Sequence, residues 1–397
     1  MPAVTDRPVD SGLALARDNS AGRRSPFQGP LRPEGELLLH CVRAHVDSES
    51  AERIAGLARA ALDWDVVFRL AIRHGTIPAL YRHFTMTCPG VAPQVVMDRI
   101  RAQYEFNSLR NLSQTRELIR LLDALEADGV EALAYKGPTL AAHVYGDLAQ
   151  RQFGDLDLIV RPSDAARAAA LLAEQGYHGA PWPEGATGAA YLARSHVHAF
   201  RNASGSVEVE LHWAFLPREF SFDADIDRWW GRLERRTLGG ASVRALPPEE
   251  LLLVLCAHGC RHLWVRLKSV CDVAALVARE ERLDWSRALG AAADAGARRM
   301  LALGLALARD LTGAALPTDI GRRVDAEPAV QSLAASISER LFDDEMCQPA
   351  SAAAQLFYLR ARERWRDKAT HGTRYLRRAY GEWRRGAPQL DAAAERA

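Results

Sequence analysis

Residues 150–160, Gln-Arg-Gln-Phe-Gly-Asp-Leu-Asp-Leu-Ile-Val, constrain this chain more than any other stretch. Side chains on a β-strand alternate between two faces, so Asp155 and Asp157 share one face while Leu156, Leu158 and Val160 share the other. The aliphatic face demands burial, and the acidic face demands either water or a counter-charge. Two carboxylates roughly 7 Å apart at the backbone can converge on one or two hard cations through oxygen ligands. Gly154 supplies a tight entry that lets the backbone approach whatever binds. Asp-x-Asp alone also describes an ordinary solvated edge strand, so the flanking chain has to decide between the two.

Two flanking segments bear on that choice. Residues 130–135 read as a short buried strand, after which Lys136-Gly137-Pro138-Thr139 turns the chain into a helix through Val144 and Tyr145. Free amides at that helix start, with Lys136 beside them, make a seat for phosphates, although an ordinary capped connection has the same composition. Downstream, residues 195–201 and 207–214 alternate around an Asn-Ala-Ser-Gly turn and read as a hairpin. On its second strand Glu208, Glu210 and His212 face one way and Val207, Val209, Leu211 and Trp213 the other. If that strand pairs beside the first, Glu210 completes a pocket of three carboxylates.

The remaining chain is mostly helical. Residues 1–33 are rich in Pro, Gly, Ser and Arg without hydrophobic period and read as a disordered leader. Residues 34–115 form an N-terminal helical region, in which Asp63 caps a helix that Gly75 ends, and Cys88-Pro89-Gly90 is a turn. One long helical stretch, residues 93–127, is interrupted between residues 107 and 113. Residues 116–245 form the core, with Ser163 or Asp164 capping a helix over residues 165–175 and one further strand over residues 237–244. Residues 246–317 form a C-terminal helical region with one amphipathic helix over 285–315. It places His258 and His262 at i, i+4, either a metal pair or a substrate-facing edge, with Lys268 and Asp272 on the next helix. Residues 318–397 form a helical tail dense in arginine and aromatic residues, either a solvated face packed on the body or a nucleic-acid surface.

Composition excludes several classes. A formal charge of +1 in 397 residues argues against bulk electrostatic binding to nucleic acid or membrane. No apolar run approaches the roughly eighteen residues of a membrane span. Six scattered cysteines without a disulfide framework point to reduced thiols in a cytoplasmic protein, and Cys256 and Cys260 read as buried helix residues rather than zinc ligands.

Taken together, Leu133-Ala-Tyr-Lys136-Gly137-Pro-Thr-Leu, Tyr145-Gly-Asp, Arg151-Gln-Phe-Gly154-Asp155-Leu-Asp157 and Glu210-Leu-His212-Trp213 resemble the uncharacterised nucleotidyltransferase family of the polymerase-beta-like superfamily. Asp63-Trp64, Arg73-His74-Gly75 and the helices after Leu251 extend the likeness over about residues 34–317. The resemblance implies an α+β fold, a small mixed sheet with helices packed on it. It also implies that Asp155, Asp157 and Glu210 are catalytic and bind Mg²⁺ or Mn²⁺. Gly137 takes the place of the family's helix-start glycine. Pro138 departs from the superfamily's usual Gly-Ser or Gly-Gly and has no amide to offer, so Lys136 and Thr139 would carry the phosphates, with Arg151 and Gly154 beside them. His212, His258 and His262 are candidates for the substrate side.

The implied reaction transfers a nucleoside monophosphate from an NTP, with ATP the first candidate, to a hydroxyl acceptor. Attack at the γ-phosphorus would instead make a phosphotransferase with the same site. A chain that kept the fold as a binding or accessory protein would have no need of all three acids.

Overall fold

The computed structural model describes residues 31–43, 48–60, 62–183, 185–224, 226–343, 351–373 and 375. The leader expected before residue 34 falls almost entirely outside them, as does Cys347 and the last stretch of the basic tail.

The acidic strand sits inside a five-stranded mixed sheet. Its strands are β1 (Ala132–Ala134), β2 (Asp155–Val160), β3 (Tyr177–Gly179), β4 (Val197–Asn202) and β5 (Glu208–His212), in the order β1-β2-β5-β4-β3. β2 and β5 run parallel, and the other neighbours are antiparallel. A separate hairpin, β6 (Glu234–Leu238) and β7 (Ala241–Ala245), replaces the single strand expected there. Gly239 and Gly240 both take positive φ, 56° and 90°, which a two-residue hairpin turn needs and a continuous strand would not tolerate.

Period two sorts the sheet into its faces. Leu156, Leu158, Val160, Val209 and Leu211 pack with Ala165, Ala168 and Leu172 of the helix Ala165–Glu174 and with Leu118, Leu121 and Leu125 of the long helix. Burying each of these leucines and valines stabilises the fold by about 1.5–3 kcal/mol. Leu133, Tyr135 and Ile159 face the other way and join a larger core that links the N-terminal helices to those beyond residue 247. Asp155 and Asp157 lie on this second face, opposite the helices Pro248–Arg261 and Leu267–Arg279.

The long helix runs unbroken from Gln94 to Ala127, so the interruption expected at residues 107–113 is absent. The apolar pattern lapses there because the inward face is polar. Asn107, Asn111, Gln114 and Thr115 are all buried. Asn111 Nδ2 donates to the carbonyls of Leu148 (2.7 Å) and Arg151 (2.8 Å), and Gln114 Nε2 donates to that of Gly154 (3.1 Å). These amides satisfy carbonyls of the loop that leads into β2, which would otherwise be buried without partners.

Other helix ends follow local chemistry. Asp63 accepts the amides of Asp65 and Val66, and Gly75 closes the same helix at φ 68°. The helix Ala165–Glu174 has no side-chain cap and follows a tight turn at Pro162–Asp164 instead. Residues 285–315 form two helices, Trp285–Asp294 and Arg298–Thr312, because Gly296 takes φ 68° between them. In the tail, the helix Ala352–Ala361 is followed by an extended break, and Arg362 is buried against Phe220. Arg364 and Arg366 pair with Asp223, so the first arginines of the tail are anchored to the body, while Trp365 stays exposed. Cys256 and Cys260 are buried in the core as free thiols. Among the described residues, no helix is long and apolar enough to cross a membrane.

Candidate active site

Parallel pairing of β2 with β5 sets Asp157 directly opposite Glu210, and Asp155 opposite Glu208. Glu208 pairs with Arg201 at 2.8 Å, and the carboxylate ligand atoms that gather on this face come from Asp157 and Glu210 but not from Asp155. His212 follows Glu210 by two residues, is fully buried, and points the same way. Its Nε2 lies 3.3 Å from Asp157 Oδ1 and 3.1 Å from Glu210 Oε2. Ligand atoms of Asp157, Glu210 and His212 all fall within 4.8 Å of one another.

The electrostatics divide the two aspartates. Burial opposes ionisation of Asp157, but Lys136, His212 and Arg151 outweigh it and hold its carboxyl below the usual range. Asp155 is pushed up by burial and by the charges of Asp157 and Glu210, against the pull of Lys136 and Lys268. His212 is raised, because its two carboxylate partners overcome the burial that disfavours its charge. His212 thus bridges two carboxylates that face each other across neighbouring strands. The carboxylate oxygens fit a hard divalent cation such as Mg²⁺ or Mn²⁺, with the neutral form of the His212 imidazole a further donor.

Lys136, where the chain leaves β1, reaches the same carboxylate with its Nζ 3.6 Å from Asp157 Oδ1. Its other contact is His258 Nδ1 at 3.1 Å. An ammonium can only donate, so Nδ1 accepts and the proton of the neutral ring sits on Nε2, 3.4 Å from Tyr135 Oη. Burial, then the nearby Lys136 and Arg261, keeps His258 well below its ordinary pKa. His262 stacks on His258 with centroids 5.8 Å apart and is exposed to solvent. His258 therefore supports Lys136 from behind, and no metal group among the described residues includes either histidine.

The other expected residues lie at different distances from the acids. Gly137 takes φ 55°, and a Cβ there would stand 3.3 Å from the carbonyl oxygen of Asp155, so the backbone of the turn packs on the backbone of β2. The helix it opens is a single turn, Gly137–Leu140, widening into Ala141–Tyr145, so the seat of amides is short. Thr139 is buried, its hydroxyl has no partner among the described residues, and the residue lines a small cavity with Ala134, His143 and Arg236. Arg151 is buried and its guanidinium grips Asp272 twice, Nε to Oδ1 at 2.8 Å and Nη2 to Oδ2 at 2.9 Å. Tyr145 donates to the same Asp272 at 2.8 Å. Arg151 thereby ties the loop before β2 to the helix Leu267–Arg279. Gly154 meets Gln114 through its carbonyl.

Four residues take roles that a local reading of the sequence does not assign. Asn111 and Gln114 hold the loop from the long helix, and their signal, a run of amides where aliphatic residues are due, resembles a helix break. Lys268 donates to the carbonyl of Gln152 at 3.3 Å, and burial together with Arg151 lowers its pKa to about 8. Arg110, from the same helix as Asn111, reaches Gly154.

No curated protein and no solved structure matches the chain. A family model described as uncharacterised nucleotidyltransferase matches residues 60–313, more than half of the chain, and the protein belongs to that family.

Proposed function

We propose that the protein transfers a nucleoside monophosphate from an NTP to a hydroxyl acceptor in a reaction dependent on Mg²⁺ or Mn²⁺. The observation that carries this reading is the β2–β5 register, which brings Glu210 to Asp157 and leaves Asp155 beside them on one face. Asp155, Asp157 and Glu210 would hold the metal. Bound there, it supplies charge neutralisation at the α-phosphate and at the attacking and leaving oxygens.

The chain's own groups do the rest. Glu210, about a third exposed at its side chain, is the carboxylate open to the acceptor and takes the hydroxyl proton. The acceptor oxygen bonds to the α-phosphorus, the bond to the β-phosphate oxygen breaks, and pyrophosphate leaves. Lys136 moves from Asp157 to the phosphates, with His258 and Tyr135 holding its approach. Arg151 and Asp272 fix the loop that aims Asp155.

Calorimetric titration with each NTP, with and without Mg²⁺, tests the reading on wild type and on Asp155→Ala/Asp157→Ala. Magnesium-dependent binding lost in the variant is the expected result, and the preferred nucleotide then serves as donor in an acceptor screen. Absence of binding of every NTP by folded wild type would refute the reading.

A further inference from the structure

Most cations around the acidic pair are already engaged. Lys136 contacts Asp157 and His258, Arg151 is held by Asp272, and Lys268 donates to the carbonyl of Gln152. Arg110 differs. It is half-buried, no hydrogen bond or ion pair engages its guanidinium among the described residues, and its buried Nε has no partner. Nη2 stands 4.0 Å from the point where a Cβ on Gly154 would be, so the guanidinium lies across the backbone immediately before Asp155.

Its position is built rather than incidental. The next residue, Asn111, and Gln114 one turn on bind the carbonyls of Leu148, Arg151 and Gly154, so one rigid helix sets both the loop and the distance from Arg110 to it. Burial lowers the Arg110 pKa, and the charge of Asp155 opposes that effect. A partly desolvated guanidinium with unused donors favours an anion with several oxygens, and its planar fork matches phosphate geometry.

We propose that Arg110 is a phosphate-binding residue of this site and takes oxygens of the donor's triphosphate on the Asp155 side of the acidic pair. Lys136, 3.6 Å from Asp157, serves the other carboxylate of the pair. The inference rests on the nucleotidyl-transfer reading and adds to it the direction in which the triphosphate lies, toward the long helix.

The test is calorimetry on wild type, Arg110→Gln and Arg110→Lys. The titrants are each NTP, the matching unphosphorylated nucleoside and inorganic tripolyphosphate, all with Mg²⁺. Loss of a charge-assisted bond predicts NTP and tripolyphosphate binding weaker by about 10- to 100-fold in Arg110→Gln, with nucleoside affinity unchanged and partial recovery in Arg110→Lys. Melting temperatures within a degree of wild type would exclude a folding cause; should Arg110→Gln melt early, Arg110→Lys, which keeps the charge, reads the same contrast. Equal NTP affinity in Arg110→Gln, or an equal loss for nucleoside and triphosphate, would overturn the inference while leaving the functional reading standing. Failure of wild type to bind any NTP would overturn that reading, and the inference with it.

Discussion

Removal of Asp272 is the most informative single perturbation away from the acidic pair. Asp272 and Arg151 are each about 6% exposed and share two hydrogen bonds of 2.8 and 2.9 Å, with Tyr145 donating a third to the carboxylate. Burial alone would favour losing the arginine's charge, but Asp272 more than compensates and raises its pKa, so the guanidinium stays protonated. In Asp272→Leu that cation is left buried and unpaired, at a cost of about 3–5 kcal/mol. Loss of the Tyr145 bond adds about 1 kcal/mol. Replacing both ends, as Arg151→Met/Asp272→Leu, removes the stranded charge and should recover at least half of the loss, because apolar pairs of similar volume often substitute for buried ion pairs. Guanidinium unfolding of wild type, both single variants and the double variant closes the cycle. Independent, additive effects, or a single-variant cost under about 1 kcal/mol, would refute the claim that these two charges are mutually dependent.

Three further outcomes follow. Gly137→Ala places a side chain at φ 55° and against the carbonyl of Asp155, so stability should fall by about 1–2 kcal/mol and Mg²⁺-dependent nucleotide binding should weaken with it; unaltered binding would separate the turn from the site. His74 and His196 are held neutral by burial with pKa values of about 3, against about 6.5 when unfolded, so the unfolded chain binds more protons between those values. Stability should therefore be fully present above about pH 6.5 and fall as pH drops, by up to about 1.4 kcal/mol per unit for each histidine, and a urea midpoint constant from pH 7 to 5 would contradict this. Burial raises the thiols of Cys41, Cys256 and Cys260, so peptide mapping after brief alkylation at pH 7.5 should find all three unmodified in native protein and modified in denaturant; rapid native labelling of Cys256 would show that its core opens.

What could be seen in the sequence was what depends on neighbours in the chain. The alternation around Asp155 and Asp157, the Asp63 cap and the Gly75 stop are all set within a few residues, and each takes the form that local chemistry dictates. The place of Glu210 could be written only as a condition, since strand pairing joins segments that sequence pattern does not link. Arg151 is a candidate for neutralising phosphate charge on the sequence, and its ion pair with Asp272 does not show there because that partner comes from a helix far along the chain. The polar run at Asn107–Thr115 was misread for a related reason. Buried amides that serve another segment's carbonyls cannot be told from amides that end a helix until that segment is in place. The division of residues 285–315 was missed because Gly296 alone marks it within a continuous apolar rhythm.

The parallel register of β2 and β5 also bears on the order in which the chain assembles. Asp157 and Glu210 are paired across the sheet, yet the helix Ala165–Glu174, β3 and β4 all lie between them in sequence. The β4–β5 hairpin can close early from local contacts, but β2 must find β5 over a long loop, and such pairings form late because the entropy of closure precedes their reward. A folding intermediate that has its helices and its hairpin but lacks this one pairing holds no assembled acidic site. Until the sheet closes, the chain has no means of gathering its carboxylates.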